Sequence, residues 1–251
     1  MPDTHGGNIF KFSHDHKINL SEVTDFSANI NLLGPSPKGL EALNERLRYI
    51  SHYPDVTNDD VMNTIADVYG IEKDSILLGN GAAELLYAVG RLSGFTGAFV
   101  PAPGFSEYQS SMDAANIPVR EIFYRQRQND DGTPYFEVPY LALQTFAAEL
   151  KGQDGRIIVF LGNPNNPDGT LLDKQSIKVL AQMLKDANSL LVIDESFIDF
   201  IGDESLRDNS HSMRELINQY DNVIIVHSFT KFYAVPGLRI GAVFANPILI
   251  Q

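Results

Sequence analysis

The chain of 251 residues contains no cysteine and no tryptophan. The lack of cysteine excludes a disulfide framework, a thiolate zinc centre and a cysteine nucleophile. Positive charge is scarce: 19 Lys and Arg stand against 32 Asp and Glu, a net charge of −13. That balance argues against a general nucleic-acid surface. No apolar run is long enough to span a bilayer, and the first residues lack the basic-then-apolar pattern of a signal peptide. The expectation is a cytoplasmic protein with no membrane contact. No internal repeat or low-complexity tract is visible. The hydrophobic fraction of 43% and charged fraction of 20% are ordinary for a globular protein and supply the core of one large domain.

What is present alternates. Runs at Ser75–Leu78, Ala98–Val100, Arg156–Leu161, Leu190–Ile193, Val223–Val226 and Arg239–Ala245 read as strands. Arg156–Leu161 is apolar on both faces, as a parallel strand covered by helices should be. Between the runs, helical spacing covers Pro37–Ile50, a stretch capped by Asn58 or Asp59 and ended by Gly70, Ala82–Leu92, a stretch from Ser106, Tyr140–Leu150, Lys174–Asn188, and a stretch after Ser210 through Tyr220. This order predicts an α/β fold with a doubly wound, mostly parallel sheet. The polar segment around His5-Gly6-Gly7-Asn8 reads as a frayed terminus. His14-Asp15-His16 lacks a nearby third ligand and reads as a loop rather than a metal site. Asn129-Asp130-Asp131-Gly132 fails the spacing of a calcium loop and reads as a turn.

Chemistry collects where the strands end. After Val223–Val226 come Ser228 and a lone lysine, Lys231, with Arg239 eight residues on. A lysine, a hydroxyl and a guanidinium so grouped suit a phosphorylated aldehyde: the amine condenses with the aldehyde, and the other two hold the phosphate. Taken singly, Lys231 is an ordinary surface lysine. The strand before Gly79-Asn80-Gly81 leads straight into a helix, which makes an anion site of free N–H groups and helix dipole. The turn lacks the third glycine of a dinucleotide fingerprint and the Lys-Ser/Thr of a Walker loop. Asp194 follows Leu190–Ile193 and stands where open α/β sheets bind ligands. Such an acid also serves as a helix cap or a metal ligand. Phe105 follows a Pro-Gly turn and by itself is more often core, while Tyr53, before Pro54, reads equally as the cap of a turn.

Together these motifs resemble fold-type I, pyridoxal-phosphate-dependent enzymes of aminotransferase class I/II. Gly162-Asn163-Pro164-Asn165-Asn166-Pro167-Asp168-Gly169 carries the specific part of the likeness, an Asn-Pro-x-Asn-Pro-x-Gly signature with Asp168 where threonine is commoner. The resemblance implies a three-layer αβα large domain over residues 37–251, preceded by an arm over residues 1–36. The smaller C-terminal domain of the family, with its carboxylate-binding arginine, has no counterpart in this sequence. It implies that Lys231 bonds pyridoxal 5'-phosphate and that Asp194 faces its pyridine nitrogen, since opposite charges favour each other's ionised forms. Asn166 then bonds the phenolic oxygen, Phe105 stacks on the ring, and Gly81, Ala82, Ala83, Ser228 and Arg239 hold the phosphate. Tyr53 reaches the phosphate of the neighbouring subunit, which makes the protein a homodimer with a shared active site. Phe197 stands where most aminotransferases place a tyrosine.

Within the family the chain is most similar to threonine-phosphate decarboxylases of cobalamin biosynthesis, themselves related to histidinol-phosphate aminotransferases. His5-Gly6 and the Ser27–Asn31 run carry that finer likeness, and it implies that His5, Gly6, Asn29 and Asn166 contact a phosphorylated amino-acid substrate. Three readings follow: decarboxylation of O-phospho-L-threonine to aminopropanol phosphate, transamination of a substrate such as histidinol phosphate, and ligand binding without catalysis. Lys231 and Asp194 together disfavour the third, since binding alone needs no aldehyde-bonding amine.

Overall fold

A computed structural model describes residues 6–150, 155–201 and 210–250. His5 lies outside them. Nine strands and eight α-helices are assigned among these residues: β1 (Ile76–Gly79), β2 (Phe95–Ala102), β3 (Val119–Phe123), β4 (Arg125–Gln128), β5 (Pro134–Glu137), β6 (Arg156–Gly162), β7 (Leu190–Asp194), β8 (Val223–Ser228) and β9 (Gly241–Ala245); α1 (Ile9–His16), α2 (Pro37–Arg46), α3 (Asp59–Tyr69), α4 (Ala82–Val89), α5 (Glu107–Ala114), α6 (Tyr140–Leu150), α7 (Lys174–Asp186) and α8 (Pro247–Ile250).

Seven strands form one sheet in the order β1-β9-β8-β7-β6-β2-β3. Every pair from β8 to β3 is parallel, and β9 runs antiparallel to both neighbours. Because side chains alternate along a strand, each strand feeds two cores. Leu191, Ile193, Ile225 and His227 point to the face covered by α3, α6 and α7, whereas Val192, Asp194, Val226 and Ser228 point to the face covered by α4 and α5. The central strands are buried along their whole length, which accounts for their unbroken apolar runs.

Register gathers the strand ends. Gly162 pairs with Asp194, and Gly241 pairs with both Gly79 and Ser228. The loops after β1, β6, β7 and β8 therefore open at one edge.

Several expectations need correction. The stretch after Ser210 forms a short 3-10 turn, Arg214–Asn218, and not a helix through Tyr220. Its backbone is recruited sideways: Met213 N–H and the Ser212 hydroxyl donate to the Glu195 carboxylate at 2.5 and 2.6 Å. Arg239 precedes the last strand in a left-handed turn, φ 49°. The helix expected over Pro37–Ile50 ends at Arg46 and tightens to 3-10 geometry over Leu47–Tyr49. The N-terminal segment, read as frayed, contains α1, capped by the Asn8 side chain on Lys11 N–H. His14-Asp15-His16 is the end of that helix rather than a loop, and no metal-ligating cluster occurs among the described residues. The expected turn at Asn129–Gly132 closes the β4–β5 hairpin, through Gly132 N–H to Asn129 O at 2.9 Å.

Candidate active site

Lys231, Asp194, Asn166, Phe105, Phe197, Ser228, Arg239, Ala82 and Ala83 line one cavity at the C-terminal edge of the sheet. Adjacent parallel strands deliver the two charged partners. Asp194 ends β7, and Lys231 lies three residues past the end of β8.

Asp194 is 6% exposed, and each of its carboxylate oxygens accepts a hydrogen bond. Its Oδ2 accepts from the Tyr108 hydroxyl at 2.9 Å and its Oδ1 from Ser196 N–H at 2.9 Å. Tyr108 stacks on Phe160 at 5.2 Å and meets Phe105 edge-on at 5.7 Å. Burial, reinforced by the Asp194 charge, pushes the Tyr108 hydroxyl well above its ordinary value, so it is a fixed donor. Sequence reasoning missed Tyr108. Its spacing from Phe105, one helical turn, was the available signal.

Lys231 Nζ lies 3.5 Å from Ser228 Oγ and 3.4 Å from Thr230 Oγ1, with the Phe197 ring centroid at 5.7 Å. Burial is the main cause that lowers its pKa. Asp194 opposes the shift and Arg239 adds to it. The turn that carries the lysine is closed by Val235 N–H to Thr230 O at 3.0 Å. The arm grips this turn: Asn31 N–H donates to Lys231 O at 3.1 Å, and Asn31 Nδ2 to Phe232 O at 2.9 Å. Asn31 thus ties the N-terminal segment to the lysine turn. Asn29 is exposed.

The opposite wall is an anion cradle. Helix α4 starts without a side-chain cap, leaving the first turn's N–H groups directed at the cavity edge. Gly81 has φ +87°, and a Cβ there would collide with the Arg239 guanidinium. At Gly241 a Cβ would lie 2.6 Å from Ala82 N. Two missing side chains thus let the helix start, Arg239 and the strand ends converge. Ser228 Oγ, 2.8 Å from Thr230 Oγ1, stands on the same side.

Asn166 borders the cavity on a loop held by its neighbours. Asn163 N–H donates to Asp194 O at 2.9 Å and Asn163 Oδ1 accepts from Leu172 N–H at 2.8 Å. Asn165 Nδ2 donates to Pro103 O at 3.1 Å and to Asp168 Oδ1 at 2.6 Å, while the other Asp168 oxygen accepts from the Thr170 hydroxyl. Asp168, the departure from the signature, is a brace for this loop. Gly81 forms the N-cap of α4. Gly6 abuts Ser27 within the arm, and Tyr53 is wholly exposed; neither lines the cavity.

A phosphorylated, aromatic aldehyde fits this donor set. The cradle would hold the phosphate, Phe105 and the cavity the ring, Asp194 a basic ring nitrogen, and Lys231 would meet the aldehyde.

The chain is similar to the adenosylcobalamin biosynthesis bifunctional protein CobDQ of Leptospira interrogans, 36% identical over 98% of this chain and 26% of that protein. It is 32% identical to the threonine-phosphate decarboxylase of Salmonella typhimurium, over 94% of this chain and 60% of the relative. The crystal structure of the histidinol-phosphate aminotransferase of Clostridium acetobutylicum superposes with a TM-score of 0.74 at 27% identity, covering 91% of this chain and 62% of that one. The chain therefore spans at most about three fifths of the length of these proteins. The sequence pattern of aminotransferase class I and II matches residues 21–251, and the chain belongs to that pyridoxal-phosphate-dependent family.

Proposed function

We propose that these residues form the cofactor-binding part of a cytoplasmic, pyridoxal-phosphate-dependent lyase that decarboxylates O-phospho-L-threonine to aminopropanol phosphate in cobalamin biosynthesis. The observation that carries the cofactor assignment is the convergence of Lys231, a Tyr108-held Asp194 and the Gly81–Arg239 cradle on one cavity. The relatives named for cobalamin synthesis or threonine phosphate, and Phe197 in place of a tyrosine, support the choice of reaction.

When bound, pyridoxal phosphate supplies an electron sink for the substrate's α-carbon. Lys231, whose charged form burial disfavours, would bond the aldehyde and later carry a proton. Asp194, oriented by Tyr108 and Ser196 N–H, would hold a proton on the ring nitrogen of the bound cofactor. Asn166 donates to the phenolic oxygen, and Phe197 withholds the second donor a tyrosine supplies. Ser228, Arg239 and the start of α4 bind the phosphate. Gly6, Asn29 and His5 are assigned to the substrate.

The reading includes a homodimer in which Tyr53 of one copy serves the site of the other. Complete exposure of Tyr53, with Phe26, Leu32 and Leu33 each at least 90% exposed, supports it.

The test uses the complete protein with pyridoxal phosphate and O-phospho-L-threonine. Carbon dioxide release that Lys231→Ala abolishes is the expected result. Amino transfer from histidinol phosphate to 2-oxoglutarate, without that release, assigns the protein to the aminotransferases. Activity that survives Lys231→Ala overturns the reading.

A further inference from the structure

Behind Lys231, on the sheet face opposite the cavity, lies a buried polar chain that the chemistry above does not use. His227 is fully buried, and its Nε2 is 3.1 Å from Asp199 Oδ2. The Tyr69 hydroxyl donates to the same oxygen at 3.2 Å and lies 3.2 Å from the Tyr233 hydroxyl. The Arg214 guanidinium sits over the Tyr69 ring at 4.7 Å.

With Asp199 as the acceptor, one direction of donation is consistent with every contact. Asp199 is the acceptor, so His227 presents a proton on Nε2. Tyr69 has one hydroxyl hydrogen and gives it to Asp199, so Tyr233 is the donor to Tyr69. The line runs Tyr233 to Tyr69 to Asp199, met from the far side by His227. It joins α3, the turn after Asp194, the end of β8 and the turn that carries Lys231.

We propose that Tyr233 and Asp199 are positioning residues that set the placement of the Lys231 amine from the opposite face of the sheet. Tyr233 is two residues past Lys231 and inside the same closed turn, whose backbone links Thr230 to Val235 and Lys231 to Ala234. The arm holds the front of that turn through Asn31. Tyr233 is its side-chain anchor behind. An apolar pair at Tyr69 and Tyr233 would fill the same space without burying a carboxylate. The polar chain instead fixes direction as well as distance, because hydrogen bonds in a poorly screened interior lose much when misaligned. The inference rests on the assignment of Lys231 as the aldehyde-bonding residue.

The test compares the complete parent protein with Tyr233→Phe and Asp199→Asn. Tyr233→Phe removes only the terminal donor and leaves Tyr69 bonded to Asp199. One readout is the rate at which Lys231 captures pyridoxal phosphate, located by borohydride reduction and mass spectrometry. A second is the pH profile of Lys231 acetylation in cofactor-stripped protein, with Lys178 and Lys185 as internal standards. We expect Tyr233→Phe to keep Tm within about 4 °C of the parent. Capture should slow about tenfold, as expected for a small misplacement of a reacting group, and the Lys231 profile should move while those of Lys178 and Lys185 stay. Unchanged capture and an unchanged Lys231 profile in folded Tyr233→Phe overturn the proposal, whether or not Asp199→Asn folds. A parent that never takes pyridoxal phosphate on Lys231 overturns the proposed function instead, and the acetylation profiles then decide the positioning role alone.

Discussion

Tyr108 spends its only hydrogen on Asp194. Tyr108→Phe keeps the ring that stacks on Phe160 and removes that donor, so the fold should survive. A hydrogen bond to a charged group is worth roughly 1.5–3 kcal/mol, and pyridoxal phosphate affinity should fall about tenfold or more in a fluorescence titration. Unaltered affinity would mean that Ser196 N–H orients Asp194 unaided. Lys231 yields a pH prediction. Its folded pKa lies below the ordinary 10.5, so between the two values the unfolded chain binds more protons. Stability of the cofactor-free protein should rise with pH across that window. Lys231→Met should be the more stable protein at neutral pH, and its advantage should shrink as pH climbs towards 10.5, as urea unfolding at a series of pH values will measure. A constant difference between the two proteins contradicts a depressed pKa. Lys231, Asp194 and Asn166 were legible in the sequence because each follows a readable strand. Tyr108 and Asn31 were not, because their partners lie 86 and about 200 positions away in the chain.

At the scale of elements, the site depends on how closely α4 approaches β9. Gly241→Ala sets a Cβ 2.6 Å from Ala82 N and 3.0 Å from His227 O, all of it backbone that cannot turn aside. Overpacking of this kind costs typically about 1–3 kcal/mol, and the denaturation midpoint should fall accordingly. Gly81→Ala should act differently: a side chain held at φ 87°, ψ 163° costs roughly 1–3 kcal/mol, and the added methyl displaces Arg239 as well. Phosphate affinity should then fall further than stability, read by pyridoxal phosphate competing with pyridoxal. Equal binding of the two ligands by this variant and its parent would remove Arg239 from the cradle. The central strands were legible from their apolar runs. The 3-10 turn Arg214–Asn218 was not, because its preceding backbone is claimed by Glu195, a long-range bond that local spacing does not encode. Edge strand β3 and the β4–β5 hairpin escaped too: they are largely exposed, and their side chains show little apolar alternation.

At the scale of the molecule, the described chain leaves Ile50, Tyr53 and Val56 at least 82% exposed beside the arm's own apolar residues. The complete protein should sediment as a dimer, and Tyr53→Phe should weaken cofactor binding without dissociating it. A monomer that binds pyridoxal phosphate as tightly as any relative would end the shared-site reading. The strand order has a further consequence, for synthesis. The strand that β9 separates from β8 is β1, made some 165 residues earlier, and among the described residues β9 is the one sheet neighbour of β1. As the chain leaves the ribosome, β1 must wait unpaired while β8 ends in an open edge, and both are apolar templates for unwanted partners. The phosphate cradle cannot exist until β9 slides between them. Cofactor capture is thereby placed after translation of residue 245, and a nascent chain arrested before Gly241 should need a chaperone to stay in solution.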